Sequence, residues 1–224
     1  MNKFYCIIFL LISISGLGQN NDPLNVISEY DSLIRERNKI PNDTNKVKVL
    51  NGLGNYLKFS RPDSGIFYAT KGLELAQALN FKEEELYALH TLALSYAALG
   101  NHITAYRVAL EGLRKAEEYD SNQKAWFLLD LGSNTFASKN YLVALDYSRK
   151  AYFEFTKIQE HNFESIAGAF IGRSHFALGN LDSAFLYGNR AKQLAEFLNI
   201  SWVEITADWR TMDYVPRTKV LMRQ

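Results

Sequence analysis

The sequence Ala98-Leu99-Gly100-Asn101 decides the fold, because it returns as Ala177-Leu178-Gly179-Asn180 and, in a weaker form, as Ser138-Lys139-Asn140. An alanine follows each of these copies at the same distance, at Ala105, Ala184 and Ala144 respectively. In chain order the alanines are 39 and 40 residues apart (144−105 and 184−144). A period of this length with helical patterning predicts a stacked helical array, in which each unit buries its apolar face against its neighbours.

The composition is that of an ordinary globular protein. The chain has 224 residues, of which 47% are hydrophobic and 22% charged, with 25 basic against 24 acidic side chains. No block of Lys and Arg stands out, so nucleic acid and anionic membrane surfaces are not expected partners, because both bind clustered positive charge.

The first 18 residues have the layout of a secretory signal peptide. Lys3 precedes an apolar run from Phe4 to Ile14, and Ser15-Gly16-Leu17-Gly18 follows as a small-x-small site. The run is shorter than the roughly 20 residues that a membrane helix needs. We expect cleavage after Gly18 and export to the periplasm or the extracellular space, with a retained anchor as the alternative. Cys6 would leave with the leader, so the mature chain is expected to have no disulfide and no cysteine metal site. Residues 201–224 contain no second apolar run long enough to cross a bilayer, so no membrane span is expected in the mature chain.

Helical periodicity divides the remaining chain into a lead-in helix, four helix pairs and a tail. The lead-in helix is predicted at 22–40, and Pro41-Asn42-Asp43-Thr44 ends it and caps the next helix. The pairs are predicted at 44–81, 83–120, 123–160 and 163–199. Residues 201–224 are predicted to form a capping helix, with Trp202, Ile205 and Trp209 on one face, and a frayed end.

Two features of the pairs follow from backbone conformation and helix packing. The turns inside the second, third and fourth pairs carry Gly100-Asn101, Lys139-Asn140 and Gly179-Asn180, and Gly and Asn tolerate the left-handed conformation that ends a helix. Small residues also recur at spacings of four and three in the second helix of each pair, which predicts a stripe for close helix packing. The four trios are Gly65, Ala69 and Gly72; Ala105, Ala109 and Gly112; Ala144, Ser148 and Ala151; and Ala184, Gly188 and Ala191.

The first helix of each pair resembles the tetratricopeptide (TPR) repeat, whose signature runs W-x2-L-G-x2-Y with a small residue opening the second helix. The matching positions are Leu128, Leu131, Gly132 and Thr135 in the third pair, and Leu89, Leu92, Ala93 and Tyr96 in the second. In the fourth pair they are Gly168, Ile171, Gly172 and His175, where His175 is expected to be packed and hydrogen-bonded. The period near 40 exceeds the 34 of TPR repeats, and Asn80, Asp120, His161 and Asn199 replace the usual closing proline. This long form resembles exported TPR arrays of bacterial signalling proteins.

The resemblance implies an all-α, right-handed solenoid of antiparallel helix pairs that binds a protein or peptide in a concave groove. In TPR arrays, fixed positions of the first helices line this groove. The matching side chains here are Lys58, Tyr87, His90, Leu94, Trp126, Leu129, Ser133, Phe136, Ile166, Arg173 and Phe176. Arg173 and Lys58 are expected to meet carboxylates of a peptide, although packing between adjacent helices is the simpler role for about half of the set.

No catalytic or cofactor motif is evident in the sequence. His90, His102, His161 and His175 lack metal-ligand spacing, Gly52-Leu53-Gly54 lacks the strand and third glycine of a phosphate-binding loop, and no nucleophile elbow is present. An enzyme, a metal site and a cofactor are therefore not expected. The alternative to an exported binding scaffold is a truncated sensor segment of a signalling protein, and self-association through the end of the stack is a further possibility.

Overall fold

The computed structural model describes residues 43–199, and the regular structure of this range is entirely α-helical. The helices are α1 Thr44–Leu57, α2 Pro62–Ala78, α3 Lys82–Ala98, α4 His102–Glu118, α5 Lys124–Ala137, α6 Tyr141–Lys157, α7 His161–Ala177 and α8 Leu181–Phe197. Successive helices pack on one another, which confirms the predicted all-α array of helix pairs. The predicted leader at 1–18, lead-in helix at 22–40 and tail at 201–224 lie outside the described residues.

The ends of the helices follow from local side-chain and backbone chemistry. The Asp43 side chain accepts hydrogen bonds from the backbone N–H groups of Asn45 and Lys46, at 3.0 and 3.2 Å, so the predicted cap of α1 is confirmed. Gly100 takes the left-handed conformation in its turn, with φ of 75°. In the turn inside the third pair, Lys139 takes the left-handed conformation, with φ of 61°. Asn140 instead has φ of −87° and is the N-cap residue of α6. The left-handed position is therefore the residue just before the asparagine, whatever its type.

The small residues of the four trios are all buried, which confirms that they form a packing stripe. In the fourth pair, a Cβ atom added to Gly172 of α7 would lie 3.0 Å from the backbone nitrogen of Gly188 on α8. In the third pair, a Cβ atom added to Gly132 of α5 would lie 2.8 Å from Oγ of Ser148 on α6. The helices of a pair thus approach each other almost backbone to backbone, because neither side has room for a larger side chain.

The helices form two layers with different spacing. We call α1, α3, α5 and α7 the A helices, and α2, α4, α6 and α8 the B helices. Each A helix contacts the A helix of the next pair, whereas successive B helices of the described range make no comparable contacts. Closer spacing of the A helices places them on the inner side of the curved stack. The largest hydrophobic core lies between the layers from α3 to α7, around the fully buried rings of Phe127 and Phe155.

Polar side chains also join successive helices. Glu85 of α3 accepts hydrogen bonds from Lys115 Nζ at 2.9 Å and from the Tyr119 hydroxyl at 3.0 Å, both from the α4 side of the pair. Gln77 of α2 donates a third hydrogen bond to Glu85, at 3.0 Å. Burial acts to raise the pKa of Glu85, but these hydrogen bonds outweigh it and hold the pKa below its ordinary value. Glu85 therefore stays ionised while it connects three helices.

Candidate functional site

The side chains predicted to line the groove share one environment. All are half-buried, and all lie on A helices except Lys58, which is the C-cap residue of α1. We call this surface the A face. Its members in the prediction are Lys58, Tyr87, His90, Trp126, Leu129, Ser133, Arg173 and Phe176, together with Leu94, Phe136 and Ile166. A half-buried side chain is held by its neighbours yet still presents an edge, which is the state expected of a preorganised binding residue.

Aromatic rings from three successive A helices, α3, α5 and α7, lie side by side. The Trp126 ring centre lies 6.5 Å from that of Tyr87 and 5.2 Å from that of His90, both on α3. On the other side it lies 5.7 Å from the ring centre of Phe163 on α7. We call Tyr87, His90, Trp126 and Phe163 the aromatic strip. Such rings combine a large apolar area with few rotatable bonds, so they suit a binding surface.

The sequence prediction missed Phe163, which no groove position of the family designates. Phe163 lies in the first turn of α7, and its ring stacks on Phe155 with ring centres 5.3 Å apart and planes 21° apart. Phe163 thus contacts both the core residue Phe155 and the ring of Trp126. The only sequence signal was an aromatic residue at the start of an A helix.

A buried acid holds His90 in place. Nδ1 of His90 lies 2.7 Å from Oδ2 of Asp130 on α5, and the Asp130 side chain is only 3% exposed. Burial raises the pKa of Asp130, and the charges of His90 and Lys58 act in the opposite direction. Sequence reasoning missed Asp130 as well, although an acid inside the apolar run Leu128–Leu131 is the signal that could have found it. The pair fixes one ring nitrogen of His90 and links α3 to α5.

Lys58 and Arg173, predicted together as carboxylate contacts, have different surroundings. Lys58 Nζ donates to the backbone oxygen and to Oδ1 of Asn55, at 3.0 and 2.8 Å, and it experiences the charge of Asp130. Burial lowers the pKa of Lys58. Arg173 instead lies over two aromatic rings, with its guanidinium carbon 4.6 Å from the ring centre of Phe136 and 5.3 Å from that of Phe170. Lys58 thus already has partners within the protein, whereas Arg173 is held by apolar rings.

The remaining predicted residues divide between packing and exposure. Leu129 and Trp126 pack against the main core, so part of the A face has the structural role that was the simpler expectation. Ser133 Oγ donates to the backbone oxygen of Asp130, at 3.0 Å, on the same helix. Phe176 is half-buried in the last turn of α7.

His175 is buried and hydrogen-bonded, as the sequence predicted. Its Nε2 accepts a hydrogen bond from Arg149 at 3.1 Å, and its ring stacks on Tyr187 with ring centres 5.8 Å apart. Burial, together with the charge of Arg149, lowers the pKa of His175. A neutral imidazole is therefore favoured here, in a packing role.

Among residues 43–199, no three side chains of the His, Cys, Asp or Glu type are grouped so that they could hold a metal ion. None of the helices in the same range is both long and apolar enough to span a membrane.

Comparison with known proteins supports the fold, although no protein-family profile matches the chain. Outer dynein arm-docking complex subunit 4 of Danio rerio is 24% identical over 189 residues, which are 82% of this chain and 37% of that protein. A Rap protein complexed with competence and sporulation factor superposes with a TM-score of 0.73 and 14% identity, covering 81% of this chain and 51% of that one. The apo form of RapI gives a TM-score of 0.72 and 15% identity, with coverage of 88% and 72%.

Aspartyl phosphate phosphatase F from Bacillus subtilis also superposes with a TM-score of 0.72, at 15% identity. These Rap neighbours are TPR-like helical repeat proteins, and at such low identity the likeness shows the fold alone. The chain spans about half the length of the Rap protein in the complex and 37% of the dynein-docking protein.

Proposed function

We propose that the chain is a helical-repeat scaffold whose A face binds a protein or peptide partner. The aromatic strip is the observation that carries this proposal. Its rings come from three successive A helices, lie within contact distance of one another and remain half-buried. Aromatic side chains held in a fixed arrangement are the usual energetic centre of a protein interface, because they bury a large area at little cost in conformational entropy.

The B helices offer a weaker alternative surface. Ile103 of α4 and Phe153 of α6 are large apolar residues that are 86% and 67% exposed. Side chains with so little surrounding contact must lose their freedom on binding, which lowers the affinity gained per unit of buried area. The curvature of the stack favours the A face as well, since its inner side can surround a bound segment.

The Rap neighbour complexed with competence and sporulation factor supports the same proposal, because it is a protein of this fold that was found with a binding partner. In this proposal the protein works by binding and not by catalysis.

Export is part of the proposal and rests on residues 1–18 of the sequence. Mass spectrometry of the protein from a secreting host tests it: a chain that still carries residues 1–18 would contradict export by signal-peptide cleavage.

A phage-displayed library of random peptides, selected on the full chain, tests the binding surface. We expect the selected peptides to bind the Trp126→Ala variant at least about 10-fold more weakly, because a central aromatic contact is worth about 2 kcal/mol or more. Tyr87→Ala should weaken binding in the same direction. Phe153→Ala on α6 is the matched control and should bind normally. Circular dichroism checks that each variant keeps its helix content.

Two outcomes would contradict the proposal. One is binding that both Trp126→Ala and Tyr87→Ala leave unchanged. The other is binding that depends on Phe153, which would place the partner on the B helices.

A further inference from the structure

Arg173 is a half-buried cation without an acidic partner among residues 43–199. None of the ion pairs and hydrogen bonds in this range involves its guanidinium, which is held over Phe136 and Phe170. Burial lowers the pKa of Arg173, and no nearby charge within the described range acts to restore it. Removing a charge from water without a countercharge is unfavourable, whereas the faces of the two rings attract the cation.

Other half-buried cations of the described range are paired. Lys115 lies 2.9 Å from Glu85, and Lys124 lies 3.2 Å from Glu154. Lys58 has the Asn55 oxygens and experiences the charge of Asp130. Arg173 is thus the cation of the A face whose hydrogen-bonding capacity remains available to another molecule.

We propose that Arg173 binds a carboxylate of the partner, so that the A face selects an acidic peptide segment. This inference rests on the proposed function and adds the chemical class of the ligand. A guanidinium that lies over aromatic rings keeps the N–H groups at its edge, and these form paired hydrogen bonds with the two oxygens of a carboxylate. The rings hold the group in place before binding, which reduces the entropy lost when the carboxylate arrives.

The distance between Arg173 and the aromatic strip sets the register of such a peptide. Trp126 and Phe136 are ten residues apart on α5 (136−126), and Phe163 and Arg173 are ten apart on α7 (173−163). Ten helical residues span about 15 Å. An extended peptide advances roughly 3.3 Å per residue. A ligand that reaches from one site to the other therefore carries its carboxylate about four or five residues from its apolar or aromatic anchor.

Parallel selections from the phage-displayed peptide library test this inference. Wild-type protein should enrich Asp or Glu at about that spacing from an apolar residue, and the control Arg107→Gln, at an exposed position on α4, should do the same. Arg173→Gln should lose the acidic enrichment, and Arg173→Glu should favour Lys or Arg at the same place.

Affinities of one selected peptide, synthesised with an amidated C-terminus, give the quantitative test. Replacing its acidic residue by Gln or Asn should weaken binding to wild-type protein roughly 10-fold to 100-fold, as expected for a charged hydrogen bond. The same replacement should change binding to Arg173→Gln by less than about 3-fold. If Arg173→Gln fails to fold, the peptide replacement on wild-type protein decides whether the A face selects an acidic segment, and an unchanged affinity would overturn the inference.

The outcomes separate the two proposals. Peptides that require Trp126 but bind wild type and Arg173→Gln equally would overturn the carboxylate assignment and leave the A-face scaffold standing. A selection that returns no peptide dependent on the A face would overturn both.

Discussion

Gly112→Ala is predicted to destabilise the protein through overpacking between α4 and α5. A Cβ atom at this position would lie 2.5 Å from Cζ and 2.6 Å from Cδ1 of the Phe127 ring, and it would come closer still to Cε1. Phe127 is fully buried in the main core, so its ring cannot move without displacing other side chains. Overpacking of this kind costs about 1–3 kcal/mol.

Gly52→Ala on α1 is the matched control. A Cβ atom there would meet no atom within 4 Å, so the substitution should stabilise the protein by about 1 kcal/mol through helix propensity. The same propensity gain applies at Gly112, which leaves that variant less stable than wild type by up to about 2 kcal/mol. The difference between the two variants cancels propensity and isolates the packing cost of about 1–3 kcal/mol.

Urea unfolding followed by far-UV circular dichroism measures both free energies of unfolding, and an unchanged m-value shows that they are comparable. Shrinking the neighbour provides a second check. In the Phe127→Leu background the penalty of Gly112→Ala should fall substantially, since the ring that obstructs the Cβ atom is gone. Equal stabilisation by Gly112→Ala and Gly52→Ala would refute the close approach of α4 and α5 at this point.

Three further substitutions test other parts of the structure. Lys139→Gly should raise the free energy of unfolding by about 0.5–1 kcal/mol, because Lys139 has φ of 61°. Gly179→Ala, at φ of 79°, should lower the free energy of unfolding by about 1 kcal/mol. Thermal unfolding measures both shifts, and two shifts of the same sign would contradict this expectation. Glu85→Gln should cost about 1–3 kcal/mol at neutral pH. The pKa of Glu85 is lowered in the folded state, so its contribution to the free energy of unfolding is complete above the ordinary carboxyl pKa and is lost as the pH falls through the folded value. The difference in free energy of unfolding between Glu85→Gln and wild type should therefore shrink in urea titrations run from about pH 7 to about pH 3. Phe155→Ala should cost about 3–5 kcal/mol in the same urea assay, since the ring is fully buried, and a loss below about 1 kcal/mol would contradict its place in the core.

The amino-acid sequence was sufficient for the helices and for the packing within pairs. Helical periodicity and the recurring turns predicted the helix pairs and the turns inside them, because both depend on residues close together in the chain. The small trios, such as Ala105, Ala109 and Gly112, were predicted as a buried stripe from their spacing alone. Lys139 shows a limit even at this level, since residue type favoured Asn140 for the left-handed position and the geometry of the helix end placed Lys139 there.

Only the tertiary structure decided which side chains of the A face act together. Phe163 contacts Trp126, Asp130 holds His90, and Arg173 lies over Phe136 and Phe170. Each of these contacts connects different A helices or residues about one turn apart. Such contacts depend on how far neighbouring helices are staggered and rotated against each other, which the period of one helix does not specify. The repeat therefore determines the scaffold from sequence, while the groups that recognise a partner arise where non-repeated side chains meet across helices.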